Sequence, residues 1–479
     1  MKRSTVYFLF LFTAALLSAS HFAYGNLKDP ATEADFLVIT PSCYQETIVP
    51  FIEYKNSRGL HTISVPLDSI NKHFPIGNQP EAIREFIFYA VKNWAVQPQY
   101  ALLVGSINHI PSFQLQKDTL LVAMDEMFVL DETEKSPAHK IALGRFPART
   151  QDGLKNMIDK TIQYESMIYD STMPHTFLFL ADYDPTNRDF CFQDQVANFV
   201  KDVMPEYLTD VQMNLSSQDV IWIKNKNIVY SLNKGIPFFS YYGHGNSFFW
   251  SNAHVMIPEQ ILALFKESSP FIFAAAACNQ TFNHPDRASV VETFLSLEKR
   301  GAVAVVGSSY YQMASSGEMF LKLFYQFLFE NPQCRIGDAF IAAKQKKAWQ
   351  DYSKYYTLLG DPTLKNPVPV LASTESESMT LAEMVTPGSF ALLHNYPNPF
   401  NNSTRIPLEL SETKHVTLKV YDVLGREICT LIDGELPSGI HQIFWNGDNA
   451  AGMPVTSGIY VYHLEAGDFT GRGKMVVAR

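Results

Sequence analysis

Residues 236–250, IPFFSYYGHGNSFFW, and residues 270–283, PFIFAAAACNQTFN, decide the reading of this chain. Each opens on an apolar run of strand length, and the segment between them, Pro258 to Lys266, has helical spacing. Strand, helix and strand at this length form a βαβ unit, whose right-handed crossover makes the two strands parallel and usually adjacent. Their carboxyl ends then open on one edge of the sheet, where open α/β sheets gather their ligands. His244 follows the first strand and Cys278 stands at the end of the second.

The two residue types suit each other chemically. A free thiol is little ionised near neutral pH, and a neighbouring imidazole lowers its pKa, generates thiolate and later returns the proton to a leaving amine. Gly243 and Gly245 flank the histidine and allow backbone to approach a substrate carbonyl, with the N–H groups of Gly245 and Cys278 as a candidate oxyanion hole. The plainer alternatives are a buried, inert cysteine and a histidine that only occupies a turn. His284 is a rival base, but it belongs to the loop leaving the second strand.

Outward from this core the same alternation continues. Strand candidates are residues 35–40 (DFLVIT), Leu60 to Val65, Tyr100 to Gly105, Lys140 to Leu143, Thr176 to Ala181, Val220 to Ile223 and Ala302 to Gly307. Helix candidates are Gln79 to Trp94, Gln151 to Met167, Ser289 to Arg300, Gly317 to Phe329 and Arg335 to Trp349. Apolar runs alternating with helical segments predict an α/β fold, a mostly parallel sheet with helices on both faces. At Pro369 the text changes. A polar linker over 368–388 precedes short alternating strands punctuated by Gly425, Gly434, Gly439 and Gly452, which read as a small all-β, immunoglobulin-like sandwich over 389–479.

Composition bounds the partners. Across 479 residues the formal charge is −10, without a basic cluster, which argues against nucleic acid as a partner. Lys2 and Arg3, an apolar run from Val6 to Leu17 and small residues near Ala23 and Gly25 read as a signal peptide over 1–25. That run is too short to span a bilayer, so no transmembrane span is expected in the mature chain. The five cysteines, at 43, 191, 278, 334 and 429, lack a metal-binding spacing, and their odd number leaves at least one thiol unpaired. No cofactor is called for; a structural calcium ion is compatible with an extracellular α/β protein.

The motifs YGHG (242–245) with Trp250 behind it, FIFAAAAC (271–278), LLVGSINHIP (102–111), LGRFPA (143–148), GAVAVVG (301–307), GDAFIAAK (337–344) and LLGDPTL (358–364), in this order, resemble the gingipain-type cysteine peptidases, whose fold is similar to that of caspases. The resemblance implies a peptidase domain over 34–367, with subdomains of about 34–170 and 171–367. It implies a catalytic dyad at His244 and Cys278, an acid at Asp182 that orients the histidine, and Asp189 meeting a basic substrate side chain in a pocket walled by Trp250. Protein or peptide substrates follow from it. With so short a stretch between the expected cleavage site and the first strand, no counterpart of the longer members' prodomain is expected. Residues 395–400 (NYPNPF), 420–426 (VYDVLGR), 457–462 (SGIYVY) and 474–479 (KMVVAR) resemble a type IX secretion sorting domain, implying an outer-membrane translocon as partner and a secreted or surface location. Two other readings are a processing peptidase of the secretion machinery and an inactive surface-binding protein of the same fold.

Overall fold

Every residue from Phe36 to Thr40 is buried, as a strand covered on both faces requires. The structure, a computed structural model, describes residues 26–117, 120–130, 141–169, 176–183, 191–205, 208–214, 228, 231–233, 236–251, 256–258, 261, 270–279, 282, 284–312, 314–344, 354–368, 390–392, 395, 398–401, 403–437 and 439–478; at 276–279 the description is of the backbone. Two compact units divide the chain, one up to Ser378 and one from Met379.

In the first unit the strands are β1 (Phe36–Thr40), β2 (Thr62–Pro66), β3 (Tyr100–Val104), β4 (Phe113–Lys117), β5 (Leu120–Met124), β6 (Ala142–Phe146) and β7 (Thr176–Ala181). They continue with β8 (Thr209–Asn214), β9 (Phe238–Tyr242), β10 (Gly245–Asn246), β11 (Phe249–Trp250), β12 (Phe271–Asn279), β13 (Ala302–Ser308) and β14 (Tyr356–Gly360). Ten of them form one sheet in the order β2-β1-β3-β6-β14-β13-β12-β9-β7-β8. Pairings within β2-β1-β3-β6 and within β13-β12-β9-β7-β8 are parallel, whereas β14 runs antiparallel to β13. The mostly parallel α/β sheet is as the alternation predicts. β14, β8 and the β4–β5 hairpin are additions to it.

Strand alternation sorts the aromatic side chains of β9 and its neighbours onto two faces. On one, Phe177, Phe179, Phe238 and Tyr242 pack against helices Phe192–Val203, Ala314–Glu330 and Ile336–Lys344. On the other, Phe239, Tyr241, Phe271 and Phe273 gather around Trp250 and Phe294, the latter from helix Val290–Ser296. That helix ends earlier than the expected Arg300. It opens on a Ser289–Glu292 capping box, and the chain turns away through Leu297 and positive φ values at Lys299 and Gly301. The expected strand at Val220 to Ile223 lies outside the described residues, as does most of the expected helix from Pro258 to Lys266.

A buried ion cluster ties distant segments together. Lys55 meets Glu165 at 2.9 Å and Asp361 at 2.6 Å, joining helices Gln45–Ser57 and Gln151–Tyr169 to the turn after β14. The second unit has strands β15 (Ala391–Leu392), β16 (Thr404–Leu410), β17 (Lys414–Asp422), β18 (Glu427–Leu436), β19 (Gly439–Trp445), β20 (Gly458–Ala466) and β21 (Phe469–Val477). They form antiparallel sheets β15-β16-β19 and β18-β17-β20-β21 around a core that includes Leu408, Leu418, Trp445, Tyr462 and Met475. This is the all-β sandwich expected there.

Candidate functional site

The site is built where β7, β9 and β12 end side by side. Tyr242 pairs with Ala181 on one flank and with Ala276 on the other. One residue past Ala181 comes Asp182, two past Tyr242 comes His244, and two past Ala276 comes Cys278. The register therefore brings the backbone of all three to one sheet edge, the edge named by the βαβ reading.

Asp182 is buried, and its backbone N–H donates to the Tyr242 carbonyl at 2.9 Å. Its carboxylate accepts the backbone N–H of His244 at 2.9 Å and that of Tyr183 at 2.8 Å. Burial raises the Asp182 pKa; the Ser251 side chain, the two N–H groups and nearby His244 oppose that rise. The histidine ring packs edge-on against Phe192 at 5.1 Å, and His244 is half-buried.

The site also differs from the sequence reading. Gly243 is buried and its freedom is spent on Asp182: a Cβ built there would meet the Asp182 Cγ at 2.9 Å and the Tyr241 hydroxyl at 2.7 Å. It makes room for the acid, whereas the expectation placed it at the substrate. Trp250 is only 1% exposed and stacks on Phe273 at 4.7 Å and Tyr241 at 5.2 Å, so it belongs to the core and offers substrate no wall. It props the β10–β11 hairpin that carries Gly245, which pairs with it. Asp189 lies outside the described residues.

His284 is exposed, and its Nδ1 accepts the N–H groups of Asp286 at 3.2 Å and Arg287 at 3.0 Å. That ring nitrogen braces a turn. Arg149, three residues past β6, holds the same loop. Its guanidinium donates to the carbonyls of His284, Pro285 and Arg287 at 2.6, 2.7 and 3.1 Å and pairs with buried Glu292. Sequence reading missed Arg149, Tyr241 and Ser251, although each adjoins a motif it used: Arg149 follows LGRFPA, Tyr241 precedes YGHG and Ser251 follows Trp250. Among the described residues no group of three or more His, Cys, Asp or Glu is placed to hold a metal ion, and no helix is long and apolar enough to cross a membrane.

The profile of peptidase family C25 matches residues 29–367, and that of a secretion system C-terminal sorting domain matches residues 394–478. Gingipain R2 of Porphyromonas gingivalis is 25% identical over 347 residues, covering 68% of this chain and 45% of its own length. Gingipain R1 of Porphyromonas gingivalis is 24% identical over 345 residues, covering 68% of this chain and 34% of its own. The chain thus spans less than half the length of these curated relatives. A crystal structure of the Arg-specific cysteine proteinase gingipain R superposes with a TM-score of 0.57 at 17% identity, covering 95% of this chain and all of that one (100%). At that identity the likeness speaks for the fold.

Proposed function

Since the chain belongs to peptidase family C25 and ends in a secretion sorting domain, we propose that it is an exported cysteine endopeptidase working through Cys278 and His244. The observation that carries this reading is the register: Tyr242 and Ala276 are paired, and the two residues stand two positions beyond them. In this mechanism the His244 imidazole takes the Cys278 proton, and the thiolate attacks the scissile carbonyl. The resulting oxyanion is held by the N–H groups of Gly245 and Cys278. As the tetrahedral intermediate collapses, His244 gives its proton to the leaving amine and a thioester remains. Water, deprotonated by His244, then attacks the thioester, and the thiol leaves with the proton returned. Asp182 supports the step by holding the His244 backbone. No cofactor enters this scheme.

Preference for a basic residue before the scissile bond is the finer part of the proposal. It rests on Asp189 and on the Arg-specific relative of the same fold. A carboxylate favours arginine through paired charge-assisted hydrogen bonds. Asp189→Asn should lower kcat/KM for an arginine substrate by roughly tenfold, a loss of about 1.4 kcal/mol, and leave apolar substrates little changed. Equal losses on both would point to a structural aspartate. For the dyad, Cys278→Ala, His244→Ala and the double variant should each abolish nearly all hydrolysis of a denatured protein substrate, with strongly non-additive effects. A folded, pure Cys278→Ala protein that still hydrolyses it would overturn the reading.

A further inference from the structure

The backbone of His244 is held at both polar groups: its N–H donates to the Asp182 carboxylate at 2.9 Å, and its carbonyl accepts the Tyr241 hydroxyl at 2.6 Å. Those bonds fix the chain, while the ring can still turn about its own two side-chain bonds. What the ring itself meets is Phe192. The two ring centroids lie 5.1 Å apart with their planes at 89°, the edge-to-face arrangement that aromatic quadrupoles favour. The same Phe192 ring meets Tyr242, the last residue of β9, at 5.0 Å and 88°.

Phe192 is carried to this place by the helix it opens. Along Phe192–Val203 the buried positions are Phe192, Val196, Phe199 and Val200, spaced as one face of a helix, and they share a core with Phe177, Phe179 and Tyr242. Phe199 packs edge-on against Phe179 of β7 at 5.6 Å, which seats the helix on the sheet. Phe192, only 3% exposed, thereby reaches the end of β9. Its ring touches positions 242 and 244, two residues that an extended chain sets on one face. Ile272 and Ala274 of β12 belong to that face as well, and strand alternation carries it on to position 278. The face that Phe192 closes is therefore the one on which His244 and Cys278 have to meet.

We propose that Phe192 is a positioning residue for the general base: its ring, packed against both Tyr242 and the His244 imidazole, stops that imidazole from turning toward the helix and keeps it aimed along the sheet edge at Cys278. A general base gains from such preorganisation, because small displacements of the reacting groups cost large factors in rate.

The inference rests on the peptidase reading. Phe192→Leu keeps an apolar side chain and removes the flat ring. In the full-length protein, kcat on labelled, denatured casein should fall about tenfold with KM within about twofold. A cycle with His244→Ala, read by alkylation of Cys278 with limiting iodoacetamide near neutral pH, separates positioning from core packing. Phe192→Leu should slow that alkylation severalfold when His244 is present and leave it unchanged in His244→Ala, because a residue that acts through the imidazole has nothing to act on without it. Either an unchanged kcat or an unchanged alkylation rate in Phe192→Leu overturns the proposal. So does equal slowing with and without His244, which would make Phe192 a core residue only. Should Phe192→Leu fail to fold, Phe192→Met, whose flexible side chain fills irregular space, carries the same cycle. Wild type that hydrolyses nothing would sink the peptidase reading alone, and the alkylation cycle would still decide for or against Phe192.

Discussion

Gly243 has no room for even a single methyl group. A side chain there would press on the Asp182 carboxyl and on the Tyr241 hydroxyl, two members of the His244 cluster. Overpacking of this kind typically costs about 1–3 kcal/mol, so Gly243→Ala should lower stability in urea unfolding by that much and reduce turnover. Asp182 yields a prediction in pH. Burial raises its folded pKa, so between the ordinary carboxylate value and the raised one the folded protein binds more protons than the unfolded chain. Its contribution to stability is complete below that window and is lost as pH rises through it. The thermal-midpoint difference between wild type and Asp182→Asn should therefore move in favour of wild type as pH falls from neutral; no movement would mean that Asp182 is not held as described. At this scale the reactive types were legible, since a cysteine and a histidine at adjacent strand ends carry a chemical signal. Ser251 and Tyr241 carry none. What ties them to His244 are hydrogen bonds to its backbone carbonyl, from the Ser251 N–H at 2.7 Å and the Tyr241 hydroxyl at 2.6 Å, which no residue type announces.

Between the elements, the loop after β12 binds the two sides of the site together. Val290 donates its N–H to the Ser247 carbonyl at 2.8 Å, and the Arg287 guanidinium lies 4.2 Å from the Phe248 ring, so the loop seats on the hairpin beyond His244. Arg149 clamps it from the end of β6, and Asn108 adds a bond to the Pro285 carbonyl at 3.1 Å. Arg149→Ala would leave Glu292, whose pKa burial already raises, without its cation. Stranding a buried carboxylate costs about 3–5 kcal/mol; because Arg149 is a quarter exposed, roughly 2 kcal/mol is expected in denaturant unfolding. Adding Glu292→Gln should restore part of it. Arg149→Lys should rescue poorly, since an ammonium cannot reproduce the planar fork that reaches three carbonyls. The strands flanking the site were legible because apolar runs covered on both faces read directly from sequence. The β4–β5 hairpin was not, as β4 is largely exposed and reads as polar loop. The short helix after Ser289 was overextended, because the backbone turns at Lys299 and Gly301 break an otherwise helical pattern.

The molecule divides into two units, each with a core of its own residues. The sandwich core around Trp445 and Tyr462 is made by the second unit's own residues, and the residues at the candidate site all come from the first. Deleting the chain from about residue 390 should leave a folded first unit. In the native host it should accumulate in the periplasm, as export through the sorting domain requires; fractionation checks this, and normal surface delivery of the truncated chain would sink the proposed route. The division was legible as a change from long α/β alternation to short, glycine-punctuated strands. The two-sided clustering of aromatic residues around β9 was not, because alternation within a fully apolar run does not say which face meets which helix.

Thiol labelling at near-neutral pH, followed by peptide mapping, tests the central assignment most directly. Cys43 and Cys191 are exposed, so access alone favours them. Burial pushes the Cys334 thiol up to about 12 and the Cys429 thiol up to about 11, which makes both slow. An activated nucleophile predicts that limiting iodoacetamide marks Cys278 first, that loss of peptidase activity tracks that label, and that His244→Ala slows it. Labelling of Cys43 or Cys191 ahead of Cys278, with peptidase activity left intact once Cys278 is modified, would contradict the account.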